Sequence, residues 1–109
     1  MSIQEKQLGQ SNPGSTPAAI YTLPAATTVI AKSIMVCNTS ASTKTYSVYH
    51  DEAGSTYTAA KALIYGDTLL ANESKLVDLF AAMSTVGGTI GVSGSTTDVT
   101  FTLYGAELT

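Results

Sequence analysis

Apolar and polar residues alternate in short runs along this chain, and turn residues stop each run before a helix can establish its period. The last run shows this most plainly. In "DVTFTLYGAEL", residues 98–108, Val99, Phe101 and Leu103 fall on one side and Thr100, Thr102 and Tyr104 on the other. That period of two is what a half-buried strand requires. "KTYSVYH", residues 44–50, sets Tyr46, Val48 and His50 against Thr45, Ser47 and Tyr49. "VIAKSIMVCN", residues 29–38, is apolar on both sides: Ile30, Ile34 and Val36 on one, Val29, Ala31, Met35 and Cys37 on the other. It predicts a strand inside a sheet with both faces covered, Lys32 reaching solvent with its tip.

The rest of the chain follows the same plan. "AIYTL" is a short strand stopped by Pro24. The loop "NTSAST" predicts that the strands on either side of it pair antiparallel. Residues 59–63 suit one helical turn, strands are expected near 62–65 and 75–79, and residues 80–88 read as a loop or a short helical turn. "TIGVSG" is a short Gly-rich strand. Seven or eight strands, with turn residues between them, predict an all-β fold: a single antiparallel β-sandwich, jelly-roll-like, over residues 18–109. Regular βα alternation is absent, which argues against a parallel sheet. Residues 1–17 carry no clear period and are broken by Gly9, Asn12-Pro13-Gly14 and Pro17. They read as an extended N-terminal arm, ordered only where something holds it. Ile3 and Leu8 are its large apolar side chains. With Pro13 they are the candidate partner-binding residues.

Composition narrows the function classes. Five lysines, no arginine and eight acids give a net charge of −3, and 29 of 109 residues are Ser or Thr. A phosphate backbone favours clustered Lys and Arg. These lysines are scattered, so no nucleic-acid partner is expected. A surface this poor in charge is expected to face other protein. One cysteine rules out an internal disulfide and a Cys-cluster metal site. No apolar signal core opens the sequence and no run approaches the length of a membrane span, so synthesis in the cytoplasm and no membrane partner are expected. Asn38-Thr39-Ser40 and Asn72-Glu73-Ser74 match the glycosylation pattern, and without a secretion signal they are expected to carry no sugar.

Four groupings invite a chemical reading. Cys37 and His50 are the chain's single cysteine and single histidine. A catalytic thiol needs a base in hydrogen-bond reach and an electropositive setting. Cys37 ends an apolar strand instead, so it reads as a core residue. In His50-Asp51-Glu52, neighbouring strand residues diverge and a metal would lack converging ligands. Asp67, Asp78, Asp98 and Glu107 are separated by turns, and nothing in the sequence pairs two of them as a glycosidase requires. "GGTIGVSGST", residues 87–96, lacks the lysine and following helix of a phosphate loop, so its glycines are read as permitting close backbone approach. No catalytic residue, cofactor site or metal site is assigned, and the chain is not expected to be an enzyme. Tyr21, Tyr46, Tyr49, Tyr57, Tyr65 and Tyr104 spread over nearly all the strands, and some are expected at interfaces.

Taken in order, several segments resemble a group of small tailed-bacteriophage virion proteins. These are residues 21–24 (Tyr-x-Leu-Pro), Cys37-Asn38 at a strand end, residues 65–67 with 71–73 ("YGD" and "ANE"), and residues 105–108 ("GAEL"). The likeness spans residues 18–109. It implies a non-enzymatic β-sandwich located in the virion, with the major capsid protein or other virion proteins as partners. Capsid decoration (cement) proteins of that class are small, often trimeric, and grip the head shell with terminal arms, which implies a homo-oligomer with a trimer favoured. A neck, tail or fibre-associated protein is the alternative within the class. Outside it stands a carbohydrate- or receptor-binding sandwich, disfavoured by the absence of Trp.

Overall fold

The computed structural model describes residues 2–109. Eight strands follow in order: β1 (Ile3–Ser11), β2 (Ala18–Thr22), β3 (Thr28–Asn38), β4 (Lys44–Asp51), β5 (Ala62–Leu69), β6 (Ser74–Met83), β7 (Thr89–Gly94) and β8 (Val99–Leu108). A single 3-10 turn, Ala59–Lys61, precedes β5. One sheet has the order β1-β8-β3-β6 and the other β2-β7-β4-β5, and every pairing is antiparallel.

The pairings are nested. β4 pairs with β5, β3 with β6, β2 with β7 and β1 with β8. This is one long hairpin folded at residues 52–61 and rolled up, so that β8 also meets β3 and β7 also meets β4. That connectivity is the eight-stranded jelly roll, and the expected all-β sandwich is the fold observed.

The core lies between the sheets. Ile34, Val48, Leu69, Ile90, Val92 and Leu103 are wholly buried, and the Tyr46 and Phe101 rings tilt against each other with centroids 6.3 Å apart. On β8 the inward set is Val99, Phe101 and Leu103, as the alternation predicts. On β3 the inward set is Val29, Ala31, Ile34 and Val36, which simple alternation assigns to two different faces. The reason is a register shift between Ala31 and Ser33, seen against both β6 and β8. One extra residue relative to β8, at Lys32, reverses the parity of everything after it.

Two expectations need correcting. β3 and β4 do not form a hairpin. They lie in opposite sheets, because in a nested roll the chain crosses the sandwich at that loop. Residues 80–83, expected in a loop or a short helical turn, complete β6.

The segment expected as an extended arm, ordered only where something holds it, is held along residues 3–11 by β8 of the same molecule. Ile3–Ser11 is the edge strand β1, paired along β8 from Leu108 to Phe101. An edge strand pairs through its backbone and needs few apolar side chains, so its polar sequence hid it. Ser2 and Thr109 extend the pairing with two backbone bonds, of 2.7 and 2.9 Å.

Candidate interaction surface

Each side of the sandwich is closed by a tyrosine, a carboxylate and a lysine. On the β1/β2 side, Tyr21 donates to Glu107 at 2.6 Å and Lys6 pairs with the same carboxylate at 2.6 Å. On the β5/β6 side, Tyr46 donates to Asp67 at 2.7 Å and Lys75 reaches it at 3.3 Å. Both clamps join the two sheets. Lys6 and Tyr21 hold Glu107 below the usual carboxylate range, and the Tyr46 hydroxyl does the same for Asp67. Burial, reinforced by the acceptor carboxylate, raises both phenols above their ordinary value.

Cys37 and His50 are not brought together. Cys37 is half-buried on β3 beside Thr100 and Ser74, and its sulfur accepts from the Ser74 hydroxyl at 3.4 Å. His50 lies in the other sheet opposite Ile90, with Nε2 3.6 Å from Glu52. The acids beside it are engaged elsewhere. Asp51 accepts the backbone N–H groups of Thr56 and Ala53 and pairs with Lys61 at 3.1 Å, which lowers its pKa. Glu52 accepts the N–H groups of Ser84 and Thr85 at 3.2 Å each. Among the described residues no three His, Cys, Asp or Glu side chains gather to hold a metal ion.

Most of the Gly-rich stretch is a strand, Thr89–Gly94. β7 is a central strand buried along its whole length, and a Cβ on Gly91 would lie 2.4 Å from the Tyr57 ring. Of the four acids considered as a pair, Asp67 and Glu107 belong to separate clamps and Asp98 accepts from Thr96. Asp78 stands alone on β6.

The outer surface carries several exposed apolar side chains. On the outward side of β6, Leu76 and Phe80 are 59% and 75% exposed, with Asp78 between them. Met35, opposite Leu76 on β3, and Ile30, opposite Ala82, extend the strip across the sheet. Leu70, in the turn before β6, and Val86, in the turn after it, are also exposed. Tyr65 and Tyr104 are the exposed tyrosines, while Tyr49 packs against Tyr57 at 5.6 Å. Among the arm residues, Ile3 is 68% exposed, Leu8 packs against the core, and Pro13 is half-buried in the β1–β2 connection. The β6 strip went unseen in the sequence because its second half read as a loop or a short helical turn. The continuous alternation of "SKLVDLFAAM" was the signal for it.

Several of the residues that carry the phage resemblance occupy positions this fold depends on. Asn38 is buried at the β3–β4 crossover. Its amide donates to the carbonyls of Ser42, Leu69 and Leu70, and its oxygen accepts from Ser40. Asn72 turns β5 into β6 with a φ of 56°. Asp67 and Glu107 anchor the two clamps. At Gly105 a Cβ would lie 2.2 Å from the Ile30 carbonyl oxygen.

The architecture is thus that of a small jelly-roll domain. No protein-family model matches the chain, and no curated protein matches it. Among solved structures, a chain from the structure of infectious bursal disease virus, Gx strain, matches over 97% of this chain, with a TM-score of 0.55 and 13% identity. This chain spans 30% of the length of that one. At that identity the likeness is one of fold.

Proposed function

We propose that this chain is a non-enzymatic structural protein of a virion, and within that class a decoration protein seated on the head shell of a tailed bacteriophage. The observation that carries the reading is the fold likeness: nearly the whole chain follows the path of a chain from a virus structure. The phage resemblance of residues 18–109 supports the narrower assignment. The outer surface supports it too, because its exposed Leu76, Phe80 and Ile3 suit broad contact with protein better than capture of a small molecule. The partners are the major capsid protein and further copies of this chain. Ile3, 68% exposed on β1, is the residue of the N-terminal segment assigned here to contact with the shell.

Quantitative gel densitometry of purified particles tests this. Hundreds of copies per particle are expected, as modest contacts repeated over a lattice gain from multivalency. A few dozen copies or fewer would move the protein to the neck or tail. Absence from particles would overturn the virion reading altogether.

A further inference from the structure

The outer face of the β2-β7-β4-β5 sheet is built of hydroxyls and tyrosine rings. Along β4, Tyr46 and Val48 point into the core, so Thr45, Ser47 and Tyr49 point outward. On β7, Ser93 stands opposite Ser47 and Gly91 opposite Tyr49. Thr45, Ser47 and Ser93, with Ser95 after β7 and Ser15 from the β1–β2 connection, line an open groove. Its lining includes no charged side chain.

The hydroxyls in this groove are only partly used by the fold. Ser47 Oγ accepts the Gly66 N–H at 2.9 Å, and Ser95 Oγ accepts the Thr45 N–H at 3.1 Å. Each keeps its own hydrogen to donate. Ser93 is only 9% exposed, and among the described residues its hydroxyl has no hydrogen-bond partner. A polar group buried that far normally has one. Three serine donors therefore converge on one groove with their hydrogens uncommitted.

The next rung along the sheet is aromatic. The Tyr49 ring centroid lies 5.6 Å from that of Tyr57 and 6.5 Å from that of Tyr65. Tyr57, from the loop after β4, lies against the sheet at Gly91, and its hydroxyl meets Thr89 at 2.6 Å. The fold thus fixes Tyr49 and Tyr57. Tyr65, on β5, leaves most of its surface to solvent, and the bond from Gly66 to Ser47 sets it beside the groove.

We propose that this face binds a neutral saccharide, its hydroxyls on Ser47, Ser93 and Ser95 and the C–H side of a sugar ring on Tyr65. Hydroxyls that both donate and accept match a ligand with the same property. A phosphate or carboxylate calls for Lys or Arg, which the lining lacks. A wholly apolar ligand leaves the serine hydrogens unsatisfied. A sugar offers both a hydroxyl rim and an apolar C–H side, and ligand sites pair aromatic surface with a few placed polar groups in just this way. The chain has no Trp, so tyrosine must supply the stacking surface, and half of its six tyrosines are in or beside this row if Tyr49, Tyr57 and Tyr65 are counted. The site goes beyond the virion reading and does not depend on it. Ile3, Leu76 and Phe80 belong to the other sheet, so protein contact and sugar binding use opposite faces.

Amide shifts of the isotope-labelled full chain, followed by NMR, test this. The probes are neutral oligosaccharides of glucose, mannose, galactose and N-acetylglucosamine, the matching monosaccharides, and an oligogalacturonate as the acidic comparison. At least one neutral sugar is expected to shift Ser47, Ser93, Ser95, Tyr49 and Tyr65 together, saturating in the millimolar range as an open groove allows. Tighter binding of the oligomer than of its monosaccharide assigns the site to a polysaccharide, and equal binding assigns it to a free sugar. Tyr65→Ala and Ser93→Val should each weaken binding by about fivefold or more. Phe80→Ser, on the other sheet, should bind like the wild type, and thermal melts confirm that each variant is folded. Tyr65 is exposed, so its variant keeps the test open even if Ser93→Val fails to fold. Neutral sugars that leave these residues unmoved, a preference for the oligogalacturonate, or a folded Tyr65→Ala that binds like the wild type would each overturn the proposal. None of these outcomes bears on whether the chain is present in particles.

Discussion

Tyr46 donates its phenolic hydrogen to Asp67 at 2.7 Å while its ring sits in the core against Phe101. One side chain thus serves both the sandwich interior and its rim. Tyr46→Phe keeps the ring and removes the hydrogen bond to a charged acceptor. The expected loss is about 1–2 kcal/mol in chemical unfolding, with the denaturant slope unchanged. Tyr21→Phe should behave alike. The two clamps share no residue, so the double variant should be additive to within about 0.5 kcal/mol.

The clamps also set the pH response, and the sign follows from the direction of each shift. Glu107 and Asp67 are lowered from 4.5 and 3.8, so their stabilisation is fully present above those values. It is lost as pH falls through the depressed folded-state values. Tyr21 and Tyr46 are raised above 10.0, so their contribution is intact below pH 10 and declines as pH climbs past it. Thermal melts across pH should show a plateau between these limits, falling on both sides. Tyr46→Phe should soften the alkaline fall. A melt that declines equally steeply in that variant would exclude the assignment.

Asn38 is buried and bonds to Ser42, Leu69, Leu70 and Ser40, so one amide fixes the crossover between sheets. Asn38→Ala leaves several of those groups without partners and is expected to cost about 2–4 kcal/mol. Asn38→Asp should cost more, because it sets a negative charge against carbonyl oxygens. Differential scanning calorimetry of the three proteins should rank them in that order.

The alternation made the strands legible, and the core side of β8 could be read directly. Pairing was less legible. β3 and β4 look like a hairpin because they are consecutive and short-looped, yet a jelly roll sends consecutive strands to opposite sheets everywhere except at its central β4–β5 fold. Nothing local to residues 39–43 states that choice. It is set by which distant strand completes each ladder. The Lys32 register shift was hidden for the same reason: it is a relation to β8 and β6. Cys37 and His50 read as strand residues in the sequence, and the structure places them on strands of opposite sheets.

Glycine tolerance should divide by what the new methyl meets. At Gly91 it meets the Tyr57 ring, a side chain able to move, whereas at Gly9 and Gly105 it meets the backbone carbonyls of Ile20 and Ile30 at 2.2 Å. Gly91→Ala is expected to cost about 1–3 kcal/mol. Pairing it with Tyr57→Ala should recover part of that loss. Gly105→Ala should fail to fold, since two central strands would have to part. Soluble yield and melting temperature of the variants would check the division.

Removing residues 2–11 tests whether the N-terminal segment is an appendage or a strand. As a free arm it could be cut away with the sandwich unharmed. As β1 it covers β8, carries the Lys6 end of one clamp, and places Leu8 against the core. Its removal would strip one of the two ladders from β8 along Phe101–Leu108, leaving only β3 beside it, and make β8 a new sheet edge. The truncated chain is therefore expected to lose its cooperative melt and aggregate. Ile3→Ser should melt close to the wild type, because Ile3 is exposed at the end of the strand and its backbone bonds remain. If the truncated chain melts like the full one, β1 contributes nothing to the folded domain. If it fails while Ile3→Ser folds but loads poorly onto particles, the segment has two separable tasks: its backbone completes the sheet, and its first side chain contacts the shell.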